Sequence, residues 1–192
     1  GGYYDARDLL VAIASHTQFY GGVVEPWEPR HDARKVFTAH LIEALQDARE
    51  RDALTHMFLN SGPADQLALA SLSDQGMLVY SLLSGVTKEE AEALLNSLPL
   101  DFLNDLERIS PRSLIDTLET PVLIMHDRED DMVPAFESRR LRDAFKDRGN
   151  AQYTEFGLFD HVTPDIRLGP IDTALELTRF FRHMHSILMQ AT

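Results

Sequence analysis

The sequence has no cysteine in 192 residues, which excludes disulfides, thiolate nucleophiles, zinc ribbons and iron–sulfur ligation. It has no apolar run long enough for a membrane span, and its first residues, Gly1-Gly2-Tyr3-Tyr4-Asp5, are not those of a signal peptide. It is short of cations, with 18 Lys and Arg against 31 Asp and Glu and a net charge of −13. That balance argues against nonspecific binding to nucleic acids or anionic membranes, since neutralising phosphate needs clustered Lys and Arg. It has no Gly-rich strand-to-helix turn, so an unrelated doubly wound domain binding a phosphorylated ligand lacks its main feature. It also lacks an initiator Met, which together with the Gly-Gly-Tyr-Tyr opening points to a fragment. The absence of cysteine suits a cytoplasmic protein.

What is present is ordinary globular material: 44% hydrophobic and 26% charged residues, and length enough for a real core. Two textures divide it. From Asp5 to about Glu119 apolar residues recur at intervals of three and four. Leu9, Leu10 and Ile13 make one face, and Val36, Phe37, Leu41, Leu45 and Ala48 a second. Met77, Leu78 and Leu82, then Ala91, Leu94, Leu95 and Leu98, continue the pattern. Thr87 followed by Glu90 is a capping box for a helix over Lys88 to Ser97. Ser110-Pro111 predicts an N-cap and first residue of a helix through Leu118. Gly21 to His31 reads as a loop, Ser61-Gly62-Pro63 as a helix break, and no strand is expected in this half.

After Thr120 the period changes. Pro121 to Met125 is a continuous apolar run, as in a parallel strand buried on both faces. Pro134 opens a helix through about Arg148, with Gly149 as its stop. Ala151 to Phe156 reads as a second strand, and Ile171 to Met189 as an amphipathic helix carrying Leu175, Leu177, Phe180, Phe181 and Leu188. This order implies parallel strands joined by a right-handed crossover. Two such strands make a poor sheet, so the exposed side of the Pro121 to Met125 strand is expected to be paired, for instance by another copy of the chain.

Parallel sheets place their chemistry at the carboxyl ends of their strands. One loop there runs His126-Asp127-Arg128-Glu129-Asp130-Asp131-Met132-Val133-Pro134. The next runs Gly157-Leu158-Phe159-Asp160-His161-Val162-Thr163-Pro164. An acid in the first and an imidazole in the second form the orienting pair that general-base catalysis needs. Asp130 has a bland alternative as a helix cap, and His161 one as an ordinary loop residue. The four acids of Asp127 to Asp131 lack the spacing of a calcium loop, and His183 and His185 fall on different helix faces, so no metal is expected. His16, Phe19, Tyr20 and Trp27 are candidates for lining a substrate pocket, although core packing is the default for such aromatics. Arg139, Arg140, Arg142, Lys146 and Arg148 read as a solvated basic face.

The run Pro121-Val122-Leu123, His126, Asp130, Val133, Pro134 resembles the α/β-hydrolase family, whose late strand and loop commonly read P-V-L-x-x-H-G-x-x-D-x-x-V-P. Asp127 stands where that pattern has Gly. The resemblance is specific from Ser110 to about Pro164. It implies an α/β fold in which 1–110 form a mainly helical cap and 111–192 the C-terminal part of the hydrolase core. It implies Asp130 as triad acid and His161 as base, in the family's order, with His126 structural. It also implies a small ester-like substrate and no cofactor. The nucleophile elbow G-x-S-x-G is absent. The serine and the oxyanion hole are therefore expected in a missing N-terminal half, and this chain alone is expected to be inert towards esters. A noncatalytic α/β-hydrolase-like module for dimerisation or partner binding is the competing expectation.

Overall fold

The computed structural model describes residues 2–157, 159–160, 163–164 and 169–190. The chain is mixed α/β and mostly helical. Helix α1 (Ala6–Ser15) begins at Asp5, whose carboxylate accepts the Arg7 N–H at 2.8 Å. It leads into strands β1 (Thr17–Tyr20) and β2 (Val23–Pro26). Then come α2 (His31–Glu43), α3 (Ala48–Leu54) with a π turn over Thr55–Leu59, and the short α4 (Gln66–Ala70). Helices α5 (Asp74–Ser84), α6 (Lys88–Asn96) and α7 (Leu100–Ile109) complete the helical part. These helices bury one apolar cluster that includes Val11, Leu41, Leu54, Val79, Leu82 and Leu95.

Two short 3₁₀ turns, Pro111–Ser113 and Ile115–Thr117, lead to β3 (Val122–Asp127). Helix α8 (Ala135–Ala144) crosses to β4 (Ala151–Phe156), which pairs parallel with β3 from Val122↔Ala151 to Asp127↔Phe156. A minimal antiparallel pair, β5 (Phe159–Asp160) and β6 (Thr163–Pro164), precedes α9 (Pro170–Gln190). A second apolar cluster, centred on Ile115, Ile124 and Phe145, lies under the parallel pair.

Several local expectations hold. Thr87 and Glu90 form the reciprocal capping box of α6. The parallel pair and its helical crossover stand as read, and β3 extends two residues further, through His126 and Asp127. The helix expected through about Arg148 stops instead at Ala144, and a turn follows it to Gly149, at φ +68°.

Others are corrected. The glycine-rich stretch after Tyr20 is not simply a loop, because β1 and β2 pair antiparallel. Gly21 (φ +59°) and Gly22 (φ +83°) supply the positive φ values that a two-residue hairpin turn requires. No helix runs from Pro111 to Leu118. Ser110 does not cap this segment; its hydroxyl donates to Leu106 O at 2.7 Å and accepts the Ala6 N–H at 2.9 Å, pinning α7 to α1. Val36 is 70% exposed, and Ala48 starts α3 and does not continue the face of α2. In α9 the apolar stripe of Ile171, Leu175, Phe181 and Leu188 faces outward, while Glu176 and His183 are buried towards the sheet. His183 Nδ1 meets the Thr154 hydroxyl at 2.8 Å.

Candidate functional site

The carboxyl end of β3 is built around two buried acids and a buried imidazole. His126 is fully buried, and Asp127 and Asp130 are almost so. The His126 Nε2 lies 3.0 Å from Val133 O, seven residues on, so it carries the proton and closes the loop between them. Burial pushes the imidazole pKa below its ordinary value, keeping the ring neutral. Nδ1 has no hydrogen-bond partner among the described residues.

Asp127 accepts the Glu129 N–H at 3.0 Å, a turn of the kind Asp makes with its own backbone two residues on. The Asp127 side chain therefore stabilises the bend. Asp130 accepts the N–H groups of Met132 at 2.8 Å and Val133 at 3.0 Å through Oδ1. Its Oδ2 is 3.6 Å from His126 Nε2. It does not cap α8, whose first turn follows Pro134 without a side-chain cap bond. Its own carbonyl accepts the Trp27 indole N–H at 2.9 Å. Next to it, Arg30 N donates to Asp131 O at 2.7 Å, and Arg30 Nε pairs with the Asp131 carboxylate. The segment before α2 therefore clasps the acid loop at two successive residues.

The parallel register sets Asp127 opposite Phe156, so the loops after β3 and β4 leave one edge, one strand apart. Arg128 of the first loop reaches Glu176 of α9 at 2.8 Å, and Glu176 accepts the Gly157 N–H of the second loop at 3.3 Å. His161 falls between β5 and β6 and lies outside the described residues.

Of the remaining sequence candidates, Phe19 and Tyr20 bridge the helical part to α8. Phe19 and Tyr20 stack on the Arg140 guanidinium at 4.9 and 5.2 Å, and the Tyr20 hydroxyl donates to Asp143 at 2.7 Å. Trp27 holds Asp130, and His16 pairs with Glu28 at 2.9 Å. Of the predicted basic face, Arg142, Lys146 and Arg148 are exposed as expected, while two members are engaged in the fold. Arg140 is mostly buried and bonds Asp8 and Phe19 O, and Arg139 pairs with Glu155 at 2.7 Å.

Sequence reasoning missed Glu137. It is 3% exposed and accepts the N–H groups of Tyr4 at 3.0 Å and Asp5 at 3.1 Å, joining α8 to the start of α1. Burial pushes its pKa up to about 7, against the lowering by the Asp5 N–H and by Arg140. Among the described residues no group of three His, Asp or Glu is placed to hold a metal ion, and no helix is long and apolar enough to cross a membrane. No protein-family model, curated protein or solved structure significantly matches the chain.

Proposed function

We propose that this chain is the helical cap and C-terminal core segment of a cytoplasmic serine-type α/β hydrolase acting on an ester-like acyl substrate. The nucleophile comes from a strand–turn–helix outside these residues. The serine attacks the acyl carbon, His161 takes its proton and returns it to the leaving group, and Asp130 orients the imidazole and stabilises its cation. Asp130 carries this reading. It is a buried carboxylate at the carboxyl end of a parallel strand, fixed by two backbone N–H groups. It follows β3, whose paired neighbour β4 leads on in sequence towards His161. No cofactor enters the scheme. The further strands that a two-stranded parallel sheet needs come from the N-terminal half.

The test begins with the upstream reading frame, which should encode G-x-S-x-G after a strand. The protein carrying it should hydrolyse esters and label with a fluorophosphonate. Its Asp130→Asn variant should lose roughly 10³–10⁴-fold in kcat, as a triad aspartate does. Serine-labelled turnover by the present chain alone would overturn the division of the triad.

A second reading, a noncatalytic dimerisation or partner module, is favoured by the outward apolar stripe of α9. It predicts no G-x-S-x-G upstream, and a dimer in light scattering that Phe181→Lys dissolves.

A further inference from the structure

Strand β4 has β3 on one side and, among the described residues, no strand on the other. Val122 N donates to Asn150 O and Arg128 N to Phe156 O, both at 2.8 Å, so the even-numbered residues of β4 turn their backbone groups to β3. Ala151, Tyr153 and Glu155 turn theirs to the free edge. Among the described residues nothing bonds the backbone N–H or C=O of Tyr153 or Glu155. The edge carries none of the usual protections: β4 has no proline or lysine, and its register with β3 runs without a bulge.

A polar cavity of about 530 Å³ follows this edge. The side chains of Tyr153 and Glu155 face α8, where they meet Ser138 and Arg139, so these two residues line the cavity with their backbone. Gln152 and Thr154 line it from the α9 face, and Arg179, Arg182 and Ser186 of α9 form the other wall. Arg128, Arg139 and Arg179 share the carboxylates of Glu155 and Glu176. Arg182 is exposed and has no acid partner among the described residues. Four guanidiniums thus meet two carboxylates here, in a chain whose net charge is −13.

We infer that the free edge of β4 is a docking site for an extended acidic segment of a partner protein. The segment adds to the sheet as a further strand, with Asp or Glu at alternate positions turned towards Arg179 and Arg182. Three features select that occupant. A small anion would pair with the guanidiniums but leave the outward carbonyls of Tyr153 and Glu155 unpaired, whereas a peptide backbone satisfies donors and acceptors together. An apolar strand laid on this edge would bury Arg182 without a counter-charge. A second copy pairing through its own β4 would set two groups of guanidiniums along one seam. The site needs neither His161 nor the missing serine, so it stands or falls apart from the hydrolase reading.

The probe is a fluorescent peptide of alternating Glu and Thr, as long as β4. In the free chain the Tyr153 and Glu155 amides should exchange quickly with deuterium, and the bound peptide should protect them. Replacing its Glu by Gln, or substituting the exposed arginine as Arg182→Glu, should each weaken binding about tenfold in anisotropy titrations at low salt, with unchanged circular dichroism. A peptide of alternating Lys and Thr should bind the Arg182→Glu variant better than the parent. A Glu-Thr peptide N-methylated on the residues that pair with β4 should not bind. Equal affinity of the Glu and Gln peptides, or binding that survives N-methylation, overturns the assignment. Displacement of the peptide by inorganic phosphate, with no amide protection, would make this a small-anion site and overturn it too. Slow exchange of both amides in the free chain, together with a dimer in light scattering, would give the edge to a second copy instead.

Discussion

The indole N–H of Trp27 donates to the carbonyl of Asp130 at 2.9 Å, across 103 residues of sequence. The helical part thus holds the acid loop by its backbone and leaves the carboxylate to its own turn.

Trp27→Phe keeps an aromatic ring and removes that donor. Losing the bond should cost about 1 kcal/mol in urea unfolding followed by circular dichroism. The Met132 and Val133 amides, which hold Asp130 Oδ1, should exchange with deuterium faster than those of α6. Unchanged exchange at both amides would show that Trp27 does not brace the loop.

Glu137 makes stability depend on pH. Its folded pKa, about 7, lies above the ordinary 4.5, so the folded state binds the proton more tightly than the unfolded chain. Its contribution is complete below about pH 4.5 and is lost as pH rises through 7. That difference amounts to roughly 3 kcal/mol. Glu137→Gln, whose amide oxygen still accepts from Tyr4 and Asp5, should flatten the dependence and equal or exceed the parent at pH 8. Urea unfolding of both proteins at pH 5 and pH 8 measures it. A Gln variant that loses stability with pH as steeply as the parent would remove Glu137 as the cause.

His126 should stay neutral where an ordinary histidine gains a proton. Its pKa is lowered by burial, so the unfolded chain takes up the proton first and this residue withdraws stability as pH falls below about 6.5. Two-bond ¹⁵N–¹H correlation spectra should show the Nε2–H tautomer for His126 at pH 6. A His126 ring with an ordinary midpoint would contradict the closed, dry loop.

Gly76 tests a packing restraint inside α5. Its missing Cβ would lie 2.9 Å from Glu50 Oε1. Glu50 is held there by the N–H of Ser73 at 2.5 Å and the Ser73 hydroxyl at 3.1 Å. Gly76→Ala should therefore destabilise by roughly 1–2 kcal/mol, although Ala is the better helix former by about 1 kcal/mol. In a Glu50→Ala background the same change should become neutral or stabilising, which a double-mutant cycle in urea would reveal.

Much of the local structure was legible because its causes are local. The run from Pro121 to Met125 is short, apolar and bounded by polar residues, and it forms most of β3, but only Ile124 within it is buried, so the expected burial on both faces does not hold. Thr87 and Glu90 are three residues apart, and so is the bond they make. The hairpin escaped because Thr17–Tyr20 and Val23–Pro26 are short, partly polar and not deeply buried, which leaves the Gly21-Gly22 turn as the sole cue. Ser110 looked like a cap from its neighbour Pro111, yet one of its partners, Ala6, lies 104 residues away. Periodicity showed that α9 has an apolar side, but which side meets the sheet depends on Glu176 and His183 finding partners across the fold. Asp130 was legible as a candidate by motif and by its place after a strand. Its backbone bonds were not, and neither was Glu137, whose ligands are amides 132 and 133 residues earlier.

The two apolar clusters are unequal: among the described residues, the helical part buries seventeen in its cluster and the sheet part three. The polar ties between them, through Glu137, Arg140 and Trp27, add little apolar burial across the seam. Cooperativity is then graded along the chain, with the parallel strands opening in a subglobal step while the helices stay closed. The part of the molecule that holds Asp130 is the part with least resistance to opening, so its order is set by whatever else packs on β3 and α9.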